Sequence, residues 1–409
     1  MKLTILFGVI LGIVSFGQTA PTSDNPQVHQ LAEGMKNFGF KWSSIITKNS
    51  DSKNIITSAT STGLALTMLY LGAGGNTKLE IKKALNLPES DDVTKSVLKR
   101  INEGLDKPRK VDIKIANKIF TKSGFEMKKE FKDTTKEVFR AEADNLDFQN
   151  NPDEASKKIN DWVESRTNNR IKNLVSSDDV KDSSMVLVNA VYFKGNWKKP
   201  FGGKNEALFN LNDKESKNVT TMHGHGQFMY GDLTGVDAKY VILPYESDKD
   251  KEQFSMFIII PNEINGLKSI ETNMGNVKWE EAIAGGKLQH LHLDMPKFKL
   301  ESTIDIEPLL KEMGMNDMFS DKADFTGISD SQPLKVTKAV QKAFIEVDEK
   351  GTEAAAATGI QIVPTSLVVH EEPEIHVAIN RPFLFSIMMI KDNVENLVFY
   401  GRCVDPKPE

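Results

Sequence analysis

A strand-like run, Phe344-Ile345-Glu346-Val347, leads through an acidic turn into Glu349-Lys350-Gly351-Thr352-Glu353-Ala354-Ala355-Ala356-Ala357-Thr358-Gly359, and this stretch limits the possible folds more than any other. Four consecutive alanines ordinarily favour helix, because alanine has the highest intrinsic helix propensity. Counted by twos, however, Thr352, Ala354, Ala356, Thr358, Ile360 and Ile362 share one side of an extended chain, and Glu353, Ala355, Ala357, Gly359 and Gln361 the other. Such a strand has one small-to-apolar face and one tolerant face. It can enter a sheet whose one side is buried without being obliged to do so, and a flexible Ala-rich surface loop fits the same residues.

A sheet able to receive it is predicted from the rest of the chain. Apolar residues recur at helical spacing over 28–46, 61–71, 76–85, 93–105, 128–138 and 152–167. Short β-rich runs bounded by turn residues follow at 185–193, 240–243, 254–260, 288–293, 343–347, 375–379, 384–390 and 397–400. Helices first and strands later is an α+β pattern rather than a regular βαβ alternation. At 409 residues the chain suits two to three domains of roughly 150 residues, or one large mixed domain. No repeat or long linker divides it.

The first 17 residues predict a secretory signal. Lys2 supplies the positive start, 3–16 is almost uninterrupted apolar, and Ser15 and Gly17 are small residues before a cut after Gly17. Fourteen apolar residues are too few for a bilayer core, which needs about 20, so no membrane span is expected. Secretion usually brings disulfides, yet Cys403 is the single cysteine, so packing must supply the stability. Secretion also gives meaning to one glycosylation sequon, Asn218-Val219-Thr220. With 52 Lys and Arg against 57 Asp and Glu, the net charge of -5 argues against nucleic acid as a partner. The basic run Lys107-Pro108-Arg109-Lys110 is expected to be a solvated loop.

No catalytic equipment is legible, and no catalytic residue is expected. The chain lacks a Gly-x-Ser-x-Gly elbow, a phosphate loop, His-Glu-x-x-His, Gly-x-Gly-x-x-Gly and paired cysteine ligands. Of the seven histidines (His29, His223, His225, His290, His292, His370 and His376), only the two His-x-His pairs can put both imidazoles on one strand face. With no cysteine or carboxylate cluster legible beside them, no metal and no cofactor are expected, since tetrahedral zinc wants three or four ligands.

The segment from Glu349 to Ala356 resembles the proximal hinge of the reactive-centre loop of serpins, and 334–343 is similar to the strand leading into it. Asn189-Ala190-Val191-Tyr192-Phe193-Lys194-Gly195-Asn196-Trp197 with Pro200-Phe201 resembles that family's central-sheet signature. Asn380-Arg381-Pro382-Phe383 with Phe399-Tyr400-Gly401-Arg402 is similar to its C-terminal core strands. The resemblance covers essentially the whole chain after residue 17, implying one serpin domain over 18–409 with its loop at about 349–379. Asn189, Trp197 and Phe383 are read as markers of fold rather than functional contacts. Ser58-Ala59-Thr60-Ser61 looks like the helix start beneath the sheet's opening point, where the family usually has proline at the position of Ala59 and often histidine at that of Gln341. Lys297 resembles the lysine that pairs with the hinge glutamate, here Glu349.

The fold implied is a set of helices packed around a large central mixed sheet, with smaller sheets and an exposed loop. The activity implied is suicide inhibition: a serine protease attacks the loop, and the cut loop inserts as a new central strand before the acyl-enzyme hydrolyses. The hinge is Glu349, Gly351, Thr352, Glu353, Ala354, Ala355, Ala356 and Ala357. Family spacing, 17 positions from Glu349 inclusive, puts the reactive bond at Thr365-Ser366, with Ile362, Val363, Pro364 and Leu367 as bait. Cleavage after Leu367, Val368 or Val369 is the alternative. Thr365 offers neither a cation nor an aromatic ring, which favours an elastase-like or other small-pocket protease. The expected protein is a secreted, extracellular monomer whose partner is a serine protease in covalent complex. The rival is a non-inhibitory serpin acting as carrier, storage or binding protein, against which the small residues of the hinge argue.

Overall fold

A computed structural model describes residues 26–49, 53–105, 110–139, 143–247, 252–330, 333–352, 374–391 and 394–407. Its packing centres on helices α1 (Pro26–Asn49) and α2 (Ala59–Gly72). Twelve of the fourteen residues of α2 are buried, as an all-round apolar helix requires. Ser58 starts α2 by accepting a hydrogen bond from the Ser61 amide through its hydroxyl. Helices α3 (Gly75–Leu85), α4 (Asp91–Leu105), α5 (Lys129–Phe139) and α6 (Pro152–Arg166) follow, each within a few residues of the predicted bounds.

The strands are β1 (Ile55–Thr57), β2 (Asp112–Lys122), β3 (Asp144–Leu146), β4 (Met185–Asn196), β5 (Gly203–Asn210), β6 (Ser216–Asp232), β7 (Ala238–Pro244), β8 (Gln253–Pro261), β9 (Lys287–Pro296), β10 (Phe298–Asp305), β11 (Val336–Val347), β12 (Gly351–Thr352), β13 (Ile375–Ala378), β14 (Phe383–Lys391) and β15 (Val394–Cys403). One sheet has six strands in the order β10-β11-β12-β4-β2-β3. The other has nine, in the order β1-β15-β14-β8-β7-β6-β9-β13, with β5 added on β6.

β4 lies at the centre and is buried on both faces. Val186, Val188, Ala190 and Tyr192 pack with Ala155, Ile159 and Val163 of α6. Met185 and Leu187 on its other face meet α1 and α2, and farther along Val191 and Phe193 meet the nine-stranded sheet. Cys403 is fully buried, and burial pushes its thiol far above the ordinary range, so it packs as a small apolar residue.

The fold is the expected α+β arrangement, with several strands beyond the pattern read in sequence, β2, β5, β6 and β10 among them. The helical first part is interrupted by β2, whose alternation of isoleucine with charged residues between 112 and 119 is a strand signal. The longest strand, the 17-residue β6, carries Gly224, Gly226 and an exposed polar face, which hide its apolar alternation.

One ionic contact is completely enclosed. Arg402 Nη1 on β15 lies 2.9 Å from Glu271 Oε1, with both side chains at most 3% exposed, and Arg402 Nε donates to the Lys53 carbonyl. Burial pushes the Glu271 carboxyl up, against the pull of the Arg402 guanidinium. Arg402→Met strands that carboxylate and should lower stability by about 3–5 kcal/mol, whereas adding Glu271→Leu should restore much of the loss. Thermal unfolding midpoints of the single and double variants check this.

Candidate functional site

Two strands of the six-stranded sheet part company at one end. β11 and β4 run parallel, with Val336 opposite Met185 at one end and Phe344 opposite Tyr192 at the other. Beyond that point they diverge and β12 occupies the fork. Thr352 pairs with Val347 of β11 and Gly195 of β4, and Gly351 with Asn196, all antiparallel. The chain reaches the fork through the turn Asp348–Gly351. Asp348 Oδ1 accepts from the Lys350 and Gly351 amides at 2.8 and 3.1 Å, as aspartate at the first position of a turn does.

The fork is lined to hold the turn. The amides of Trp197 and Phe201 donate to the carbonyls of Lys350 and Glu349, and Trp197 Nε1 donates to the Asp348 carbonyl at 3.0 Å. Thr352 is fully buried, its hydroxyl 2.8 Å from the Tyr245 hydroxyl, and the Tyr245 ring stacks on Trp197 with centroids 4.5 Å apart. Burial pushes the Tyr245 phenol far above its ordinary range, so it stays protonated. At Gly351 the requirement is close approach, because a Cβ there would lie 2.1 Å from the Gly195 carbonyl oxygen. Glu349 makes an ion pair with Lys204. Burial opposes ionisation of its carboxyl, but the Lys204 hydrogen bond and the charges of Lys204 and Lys297 hold the group below its ordinary value. The contact therefore persists through neutral pH and is lost only as pH falls below the ordinary carboxylate range.

Below the fork the seam is closed by a buried polar network. Gln341 of β11 lies opposite Asn189 of β4, and Gln341 Nε2 is 2.5 Å from Asn189 Oδ1. The same nitrogen reaches the Ser58 carbonyl and the Thr62 hydroxyl, while Oε1 accepts from the Thr57 hydroxyl and the Ser58 amide. Asn189 Nδ2 continues to the Ser61 hydroxyl and to Asn117 of β2. Gln341 and Asn189 are both wholly buried. Alanine at 59, the first residue of α2, leaves the Ser58 cap intact.

Of the sequence-predicted site residues, Glu349, Gly351 and Thr352 come together in the fork. Lys297 acts on Glu349 electrostatically, and Lys204 is the direct partner. Asn218 is exposed on β6, as a glycosylation acceptor has to be. Glu353, Ala354, Ala355, Ala356, Ala357, the bait residues Ile362, Val363, Pro364 and Leu367, the bond Thr365-Ser366 and the signal segment 1–17 lie outside the described residues. Phe383 is core, as read from sequence, but Asn189 and Trp197 are more than fold markers, since one bolts the seam and the other holds the turn. Tyr245 and Lys204 had no sequence signal, because each is brought in from a separate segment. Away from the seam, His225, His292 and Glu374 bring three ligand atoms within 4.8 Å of one another.

Residues 33–406 match the family model described as Serpin (serine protease inhibitor). Alaserpin of Manduca sexta is 35% identical over 407 residues, covering 97% of this chain and all of that protein. Leukocyte elastase inhibitor of Bos taurus is 34% identical, covering 93% of this chain and all of its own length. Among solved structures, Serpin48 of the insect Tenebrio molitor, described as a highly specific serpin, superposes with a TM-score of 0.80 at 29% identity, over 95% of this chain and 100% of that one.

Gln341→Ala leaves buried partners on both sides of the seam unsatisfied, each at about 1–3 kcal/mol. The thermal midpoint should fall, and amide hydrogen exchange across β4 and β11 should accelerate more than exchange in β14 and β15. Uniform acceleration in both sheets would mean that the network does not act at the seam.

Proposed function

Because the chain belongs to the serpin family and is a protease inhibitor rather than an enzyme, we propose that it traps a serine protease covalently by inserting its cleaved loop between β11 and β4. The supporting observation is the register of β12. Continuing the pairs Thr352–Val347 and Thr352–Gly195 down the seam brings Ala354 between Ile345 and Phe193, and Ala356 between Ala343 and Val191. Thr358 then arrives between Gln341 and Asn189, and Ile360 between Ala339 and Leu187, which already belong to an apolar cluster.

Each arriving residue suits what it meets. Alanines fit between rows of larger buried side chains, and the Thr358 hydroxyl offers a donor and an acceptor to the two amides whose direct hydrogen bond it replaces. From Thr352 to Ile362 no charge or proline is pushed into that buried face, where it would have to be desolvated. The even-numbered residues follow the side of Thr352, and Glu353, Ala355 and Ala357 take the opposite face.

The chemistry belongs to the protease: its serine attacks the Thr365 carbonyl, the bond to Ser366 breaks, and residues 366–409 form the leaving segment. The freed strand then exchanges the parallel β11–β4 pairing for two antiparallel pairings, carrying the acyl-linked protease with it before water completes hydrolysis. Parallel pairing is slightly less stable per residue than antiparallel, which favours the exchange. Thr365 favours a small-pocket, elastase-like target. The segment 1–17 supports secretion, and exposed Asn218 supports glycosylation in the secretory route. The inhibitor is proposed to act as a monomer without a cofactor.

Incubation with elastase-, chymotrypsin-, trypsin- and subtilisin-like proteases should give a denaturation-resistant complex with at least one of them and release a peptide beginning at Ser366, read by mass. A peptide beginning after Leu367, Val368 or Val369 would move the bond and keep the mechanism. Clean cleavage without complex by every protease that cuts the loop would overturn the mechanism.

Thr352→Arg or Thr358→Arg should convert inhibitor into substrate, because a guanidinium would have to be buried in the seam. The stoichiometry of inhibition should rise at least severalfold while the cleavage rate holds. An unchanged stoichiometry in both variants would rule out insertion along this register.

A further inference from the structure

Five of the chain's seven histidines lie together on one polar sheet face that the inhibitory reading leaves unused. The register of the nine-stranded sheet sets His223 opposite Asp294, His225 opposite His292 and Gln227 opposite His290, and parallel β13 sets His376 beside His292. Directly opposed residues share a sheet face. Two separate His-x-His pairs, on β6 and β9, are thereby interleaved, and Glu374 at the start of β13 adds a carboxylate. The basin over these groups is also lined by Lys199 and Asp294.

These groups divide into engaged and convergent sets. His223 is held at both nitrogens, Nδ1 at 2.7 Å from Asp294 and Nε2 at 2.8 Å from Asn205, and His376 Nε2 is held by the other Asp294 oxygen. His290 Nε2 meets the Gln227 amide. His225 and His292, by contrast, aim their Nε2 atoms at the two oxygens of one carboxylate, that of Glu374, and their rings lie 4.6 Å apart. Two zinc ligands, each about 2.0–2.1 Å from the ion, sit about 3.3 Å apart at the tetrahedral angle. His225 Nε2 and Glu374 Oε1 are 3.2 Å apart. Two imidazoles and one carboxylate with an open side make a donor set suited to zinc.

We propose that His225, His292 and Glu374 bind a divalent zinc-class ion that fastens β13 to the nine-stranded sheet. On binding, each Nε2 presents its lone pair to the ion and keeps its proton on Nδ1, while Glu374 exchanges hydrogen bonds for a metal bond. β13 is an edge strand joined to β9 by four register pairs, and Glu374 is the first described residue after the segment 353–373. One ion would thus tie three strands, with β6 and β9 forming the base and β13 the strand retained. Sequence spacing marked the two His-x-His pairs but gave no sign of the carboxylate, since Glu374 stands 82 residues from His292 and 149 from His225.

The test is calorimetric titration of the full chain with Zn2+, paired with hydrogen exchange of β13 with and without the ion. One equivalent is expected to bind, and the amides of Val377 and Ala378 should gain protection. His225→Ala, His292→Ala and Glu374→Gln, all at exposed positions, should each weaken binding by at least the roughly 10–100-fold that loss of an outer-shell partner costs. His223→Ala should leave affinity within a few fold. Absence of binding up to millimolar zinc, affinity in the three ligand variants unchanged from that of the unsubstituted chain, or binding without protection of β13 would each overturn the proposal. None of these readouts involves a protease, so the result stands apart from the inhibitory reading.

Discussion

The contact between Gln341 and Asn189 closes a parallel seam along which β11 and β4 pair with each other until β12 enters at the fork. Both side chains are wholly buried, so separating β4 from β11 here means breaking strong, directional side-chain bonds in a low-dielectric interior in addition to the backbone ladder. A buried amide pair is costly to leave half-satisfied but can accept a third polar group without loss. The seam therefore behaves as a latch. It resists separation while empty, and its donors and acceptors can be satisfied again by a hydroxyl arriving at the same level.

The fork above that latch makes its opening directional. Asp348, Trp197, Phe201 and Tyr245 hold the turn by backbone and ring contacts, so Gly351 and Thr352 of the hinge are already strand, and the costly first step of pairing is complete. Gly351 lets two backbones approach where a Cβ would collide, and a Cβ at Gly195 would run into the Tyr245 ring. On the proposed mechanism further entry is then propagation, with each added residue displacing a parallel pairing and making two antiparallel ones. Ion pairing of Glu349 at the mouth adds little to stability for a group of this exposure and serves to set the direction of approach.

The parts legible in sequence were those whose signal is local. The alternation of small residues after Gly351, the run around Asn189 and the helical stripe of α2 all carry their meaning within a dozen residues, and the structure places the described ones as read. The contacts that escaped are between segments far apart in the chain. Lys204 reaches Glu349 from β5, Tyr245 reaches Thr352 from just beyond β7, and Glu374 reaches two histidines from β6 and β9. No periodicity within one segment reports such meetings. Strands such as β6 were obscured for a related reason: their outward faces are rich in polar residues and glycine, so only pairing with β5, β7 and β9 makes them strands.

The two ends of the segment between Thr352 and Ile375 are fastened to different sheets, and this asymmetry ties the seam to the histidine face. One end is in the fork, antiparallel to both neighbours and surrounded by aromatic rings. The other is an edge strand of four residues, parallel to β9, with its outward neighbours polar and solvated. On the proposed insertion, every residue drawn into the seam while the chain is continuous shortens the tether to β13, whose four pairs with β9 hold the far end. Cutting the tether removes that constraint and frees the fork end to advance alone. On that reading retention of β13 opposes premature entry of the uncut chain, and side chains at His225, His292 and Glu374 are placed where they can add to that retention without touching the seam.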